Sequence, residues 1–147
     1  YADFLIKWTK DYRRTLDYLE SRDDIDSEKF CYLGASWGAF NFLITGAIEP
    51  RLKLSICYVG GLSMTPALPK VDQINYVHRV KQPTLWLVGE YDQIFPFKLS
   101  AEPAFNYLGT EPADKRLVAY PTEHSLPKNE RIHESLDWLD KYFGPAQ

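Results

Sequence analysis

"FCYLGASWGAF", residues Phe30 to Phe40, joins a short aromatic and apolar run to a Gly-x-Ser-x-Gly pentapeptide and then to a second apolar run. The first run is too brief for a helix, and its aromatic residues suit a strand. The second continues as "WGAFNFLITGAIEP", apolar nearly all round and closed by Pro50, the pattern of a buried helix. Ser36 therefore sits on a strand-to-helix turn. Such a serine reads either as a plain helix cap or as a nucleophile held clear of the backbone by strained dihedrals. The pentapeptide favours the nucleophile. Gly34 and Gly38 allow neighbouring chain to come close, and the backbone N–H of Trp37, at the helix start, points where an oxyanion would form.

Outward from this stretch the chain alternates strands and helices. Leu5, Trp8, Tyr12, Leu16 and Leu19 recur at helical spacing, with Lys7, Lys10, Arg13, Arg14 and Asp17 on the other face, so an amphipathic helix precedes the first strand. "LKLSICYVGG", "PTLWLVGEYD" and "KRLVAYP" read as further strands, and the first two are apolar on both faces. Helices are expected over Lys98 to Leu108 and over Glu130 to Phe143. The latter carries Ile132, Leu136, Leu139 and Phe143 on one stripe and is closed by "GPAQ". The proline-rich excursion between Gly60 and Pro83 is expected to hold one short helix near Asp72 to Val80. Continuous apolar strands alternating with helices define an α/β fold, a mostly parallel sheet flanked by helices.

A serine attacks a carbonyl only beside a base that is itself oriented by an acid. Asp92, in "WLVGEYD", and His124, in "VAYPTEHSL", each fall just past the end of a strand. In a parallel sheet those ends share one edge, so Ser36, Asp92 and His124 converge there. Glu90 and Glu123 are the competing acids, better read as a pocket-wall group and a rim charge. His133 reads as a surface histidine beside the last helix's apolar stripe. His78 lies in the excursion, with a surface role or a substrate contact open to it. Ser63 and Ser125 lack the strand-turn-helix context. Tyr91, Phe95, Phe97 and Trp37 are candidates to line an acyl pocket, with core packing the alternative for the phenylalanines.

With "GASWGA", "GEYDQIFP" and "YPTEHSLP" in this order, the chain resembles the C-terminal part of an α/β-hydrolase, closest to dienelactone hydrolases and prolyl-oligopeptidase-like esterases. The resemblance covers residues 1–147 as a single, partial domain. It implies that Ser36 is the nucleophile, His124 the general base, Asp92 the orienting acid and Trp37 one oxyanion donor. It implies a carboxylic ester as substrate, an acyl-enzyme intermediate and no cofactor. In the family the sheet has about eight strands, with the second oxyanion donor on the loop after the third. Here only the last four strands are expected and no such loop precedes the turn. The alternative is thus a non-catalytic remnant or assembly module without a complete oxyanion site.

Composition narrows the partners. At 147 residues and 45% hydrophobic content the chain can bury a core. A net charge of −3 with interleaved signs provides no basic stripe for nucleic acid or an anionic membrane. No apolar run reaches the roughly 18 residues of a membrane span, and "YADFLIKWTKDYRR" lacks a signal-peptide layout. Cys31 and Cys57 lie in apolar runs, and neither they nor the three histidines have metal-ligand spacing. "FCYLG" would stand at an open sheet edge with no proline or charge to deter pairing. A homodimer through that edge or the helices beside it is the expectation.

Overall fold

The computed structural model describes residues 1–145, so 146–147, the last letters of "GPAQ", lie outside the described residues. Four strands, β1 (Cys31–Ala35), β2 (Leu54–Tyr58), β3 (Thr84–Gly89) and β4 (Lys115–Tyr120), pair in parallel in that order. β2 and β3 are buried throughout, which is why they read as unbroken apolar runs. The long helices are α1 (Ala2–Glu20), α2 (Trp37–Ile48) and α4 (Lys128–Phe143), with the short α3 (Glu102–Tyr107) between them. One face of the sheet sends Tyr32, Cys57, Trp86 and Val88 against Leu16, Phe42, Leu43 and Ala104 of the helices. On the other, Ile56, Leu85 and Leu87 pack under Trp138 of α4. The layers are those the alternation of strands and helices requires.

Three local expectations are revised. The excursion forms three separate turns of 3-10 helix, Pro69–Val71, Gln73–Asn75 and Val77–Arg79, in place of one helix over Asp72 to Val80. The Asp72 carboxylate takes the N–H of both Ala67 and Ile74, a local bonding pattern that competes with a continuing helix. The helix expected from Lys98 begins as a wide π turn, Phe97–Ala101, where Glu102 N–H donates to Phe97 O. Pro103 has no N–H to give the turn before it. In α4 the buried positions are Ser135 and Trp138, while Ile132 and Leu136 are 44% and 54% exposed. The large Trp138 ring and a hydrogen bond between Ser135 Oγ and Tyr58 OH set which side of α4 meets the sheet.

α4 covers β2 and β3 and leaves Leu33 of β1 59% exposed, while Cys31 packs at the margin of the cluster beneath α4. Among the described residues β1 pairs with β2 alone. Phe30 O accepts from Lys53 N–H and Ser36 N–H donates to Tyr58 O, so Cys31, Leu33 and Ala35 turn their backbone groups outward. The edge is open, as expected from the strand order. Phe30 and Tyr32, however, are buried on the α1/α2 side. An ion cluster fastens α1 to the turn after α2. Glu49, its side chain 1% exposed, takes Arg51 through two bonds of 2.7 Å and Arg13 at 3.1 Å, while Arg51 also reaches Asp17 and Glu20.

Candidate active site

Ser36 follows β1 directly and precedes α2 with φ 52° and ψ −113°, a conformation that non-glycine residues rarely adopt. The turn is locked from both sides. Ser36 N–H donates to Tyr58 O at 2.8 Å, and Phe40 N–H donates to Ser36 O at 2.9 Å. A methyl group on Gly34 would fall 2.8 Å from the carbonyl carbon of Gly38 and 3.0 Å from Ala39 N, so only glycine fits there. Gly38 is different: its nearest neighbour would be Tyr32 OH at 3.9 Å, so close approach does not demand glycine. Trp37 is the first residue of α2, and its N–H belongs to the group of donors for which a helix has no internal carbonyl. Its indole stands 42% exposed, packed on Phe4 and Trp8 at 5.5 and 5.8 Å between ring centroids.

The carboxyl ends of β3 and β4 bring up the other two residues. Asp92 is 4% exposed and sits in a turn where its Oδ1 accepts the N–H of Ile94 and Phe95 at 2.8 and 2.9 Å. Its Oδ2 lies 2.8 Å from His124 Nδ1, and His124 Nε2 lies 2.8 Å from Ser36 Oγ. Hydrogen bonds beyond the sheet bind the two loops together: Glu90 N–H donates to Tyr120 O and Tyr91 N–H to Thr122 O. The structure thus places Ser36, His124 and Asp92 in one connected chain of hydrogen bonds, with the imidazole in the middle.

The competing residues have no hydrogen bond to it. Glu90 and Glu123 are exposed, and His78 is exposed on the excursion. His133 is paired with Asp137 on the surface of α4. Ser63 Oγ is occupied with Thr65 O, and Ser125 is exposed. Tyr91, 61% exposed, and Phe97 line an open cleft of about 670 Å³ together with Glu90 and Asp92. Phe95 packs against the His124 ring at 6.1 Å. Burial pushes the Cys31 thiol up to about 12 and that of Cys57 well above the usual thiol range, and neither contributes to the site. Among the described residues no group of three or more His, Cys, Asp or Glu side chains could hold a metal ion. Among the same residues no helix is long and apolar enough to cross a membrane.

Several residues that shape the site carry no motif. Val59, just past the end of β2, adopts φ 42° although β-branched, and its N–H donates to Leu87 O. Gly89, at the end of β3, lies directly beneath the backbone of Thr122 and Glu123. Phe40, four positions after Ser36, could have been found from helical spacing, since it shares a face with the turn.

No family model matches the chain, and no curated protein sequence does. Solved structures do. An esterase, cold-adapted and drawn from an Arctic intertidal metagenomic library, superposes with a TM-score of 0.76 at 23% identity, over 90% of this chain and 56% of its own. Acetyl xylan esterase 1 from Thermoanaerobacterium sp. JW/SL YS485 gives 0.74 at 19% identity, over 91% of this chain and 52% of its own. The α/β hydrolase GrgF from Penicillium sp. sh18 gives 0.77 at 9% identity, over 94% and 72%. The chain spans little more than half the length of the two esterases. The parallel four-stranded sheet, its flanking helices and these superpositions together establish that the chain has an α/β-hydrolase-like fold.

Proposed function

We propose that this chain carries the nucleophile, base and acid of a serine hydrolase that cleaves a small-molecule carboxylic ester through an acyl-enzyme. The observation that carries the reading is the imidazole of His124, 2.8 Å from Ser36 Oγ on one nitrogen and 2.8 Å from Asp92 on the other. In this mechanism His124 Nε2 takes the proton of Ser36 Oγ as the oxygen attacks the ester carbonyl. Asp92 holds the Nδ1–H and stabilises the imidazolium that forms. The carbonyl oxygen, now negative, meets the N–H of Trp37. The imidazolium then protonates the departing alkoxide, and water repeats the sequence to release the acid. Likeness to esterases supports the class of reaction.

Ser36→Ala is expected to abolish both ester turnover and labelling by a fluorophosphonate, with His124→Ala reducing each by about 1,000-fold or more. Undiminished turnover in purified Ser36→Ala would overturn the proposal. A second reading, a non-catalytic remnant or assembly module, draws on the chain's coverage of only 56% of the esterase's length. On that reading the wild type stays unlabelled.

A second copy of the chain is proposed to cover the β1 edge. The outward backbone groups of Cys31, Leu33 and Ala35 can pair antiparallel with their own copies about a two-fold axis at Leu33, without any charge or proline to oppose it. A monomer by sedimentation at micromolar concentration would refute this.

A further inference from the structure

We infer that Phe95 is a positioning residue that holds the imidazole of His124 between Ser36 and Asp92, an inference that rests on the hydrolase reading of this site. Phe95 contacts the Asp92 carboxylate, the His124 ring and, through Phe40, the helix that follows Ser36. Its backbone N–H donates to Asp92 Oδ1 at 2.9 Å. Its ring lies against the imidazole of His124, with centroids 6.1 Å apart and planes inclined by 33°. It also meets the Phe40 ring at 5.9 Å, and Phe40 N–H is bonded to Ser36 O.

The two hydrogen bonds of His124 act in the plane of its ring, at Nδ1 and Nε2. They resist displacement within that plane and resist motion out of it only weakly. The tilted Phe95 ring, itself packed on Phe40, adds a contact to the imidazole beyond those two bonds and so restricts its reorientation. The restraint also moves with the site. Phe95 is tethered through its backbone to Asp92, so a shift of the acid carries the ring that confines the base. His124 is 25% exposed on its side chain. Other aromatic residues near the site do not share this arrangement: Trp37 packs toward α1, and Tyr91 stands in solvent.

A pocket wall and a positioning residue fail differently when removed. Loss of a wall weakens substrate binding and raises KM. Loss of the restraint lowers kcat, because the fraction of imidazole aligned with Ser36 Oγ falls while the pocket persists. The test compares Phe95→Ala, Phe95→Leu and Phe95→Tyr in the full chain. It measures kcat and KM on an aryl acetate per titrated active site, the rate of fluorophosphonate labelling, and the low-field proton signal of the His124 Nδ1–H. Ala and Leu are expected to lower kcat and the labelling rate by about 10- to 100-fold, with KM within about twofold, and to broaden or abolish the low-field signal. Tyr, which keeps the planar ring, restores all three.

Wild-type kcat with a raised KM in Phe95→Ala would assign the residue to the pocket wall. Wild-type kcat per titrated site with lowered thermal stability would reduce it to packing. Either result overturns the inference. If the wild type neither turns over nor labels, the hydrolase reading fails. The low-field proton and its response to Phe95→Ala then still decide whether this ring orients the imidazole.

Discussion

Adding one methyl group at Gly89 is expected to disarm the proposed site without touching any of its three hydrogen-bonded side chains. A Cβ on Gly89 would fall 2.0 Å from Glu123 O, 2.5 Å from Thr122 O and 2.9 Å from Glu123 C. An unstrained carbon-to-oxygen contact needs roughly 3.3 Å, so something must move by about 1 Å. The obstacle is backbone, and it leads straight into His124. Gly89 itself cannot retreat easily, because it is paired with Tyr120 in the sheet and Glu90 N–H is bonded to Tyr120 O. The loop is therefore the part that yields. A displacement of about 1 Å at His124 stretches its 2.8 Å contact with Ser36 beyond hydrogen-bond range. Misplacement on that scale costs about 100-fold in kcat/KM, or about 2.7 kcal/mol of transition-state stabilisation. Overpacking adds about 1–3 kcal/mol of instability. Hydrolysis of an aryl acetate and fluorophosphonate labelling, measured on protein shown to be folded by circular dichroism, provide the assay. Gly89→Ala turning over within threefold of the wild type would refute the claim that the loop's seat on Gly89 sets the position of the base.

The remaining predictions concern stability and association. Hydrogen bonding from Arg51 holds the buried Glu49 carboxylate below the usual range, so its contribution is present above the unfolded carboxylate pKa and is lost as the pH falls through the depressed folded value. Thermal midpoints should drop below about pH 4, and Glu49→Gln should cost about 1–3 kcal/mol near neutrality and flatten that acid limb; a variant as stable as the wild type would dismiss the cluster's role. With burial pushing Cys31 up to about 12 and Cys57 well above the usual range, neither thiol should react with Ellman's reagent at pH 8 until the chain unfolds. Prompt reaction of Cys57 in folded protein would contradict its burial. Leu33→Lys should return a self-associated chain to monomer in sedimentation, and an unchanged association state would place the contact elsewhere.

The meeting of Ser36, Asp92 and His124 at one sheet edge was legible because each obeys a local rule. A tight turn between a strand and a helix favours small residues around its serine, and strand ends in a parallel sheet share an edge. Sequence spacing states both conditions. The buried runs of β2 and β3 announced themselves in the same way, since a strand covered on both faces has no room for charge. What escaped the reading were contacts between segments distant in sequence. The face of α4 that meets the sheet depends on where Trp138 and Ser135 find Tyr58, not on the most hydrophobic stripe of the helix. The broken excursion follows from Asp72 reaching Ala67 and Ile74, which no periodicity records. Gly89, Phe95 and Phe40 carry ordinary letters and acquire their places only when three loops meet. Local pattern by itself determined the alternation of strands and helices and the three residues at the sheet's edge. Tertiary structure alone decided how those residues are held, because the restraints on a side chain come from whatever atoms happen to fill the space around it.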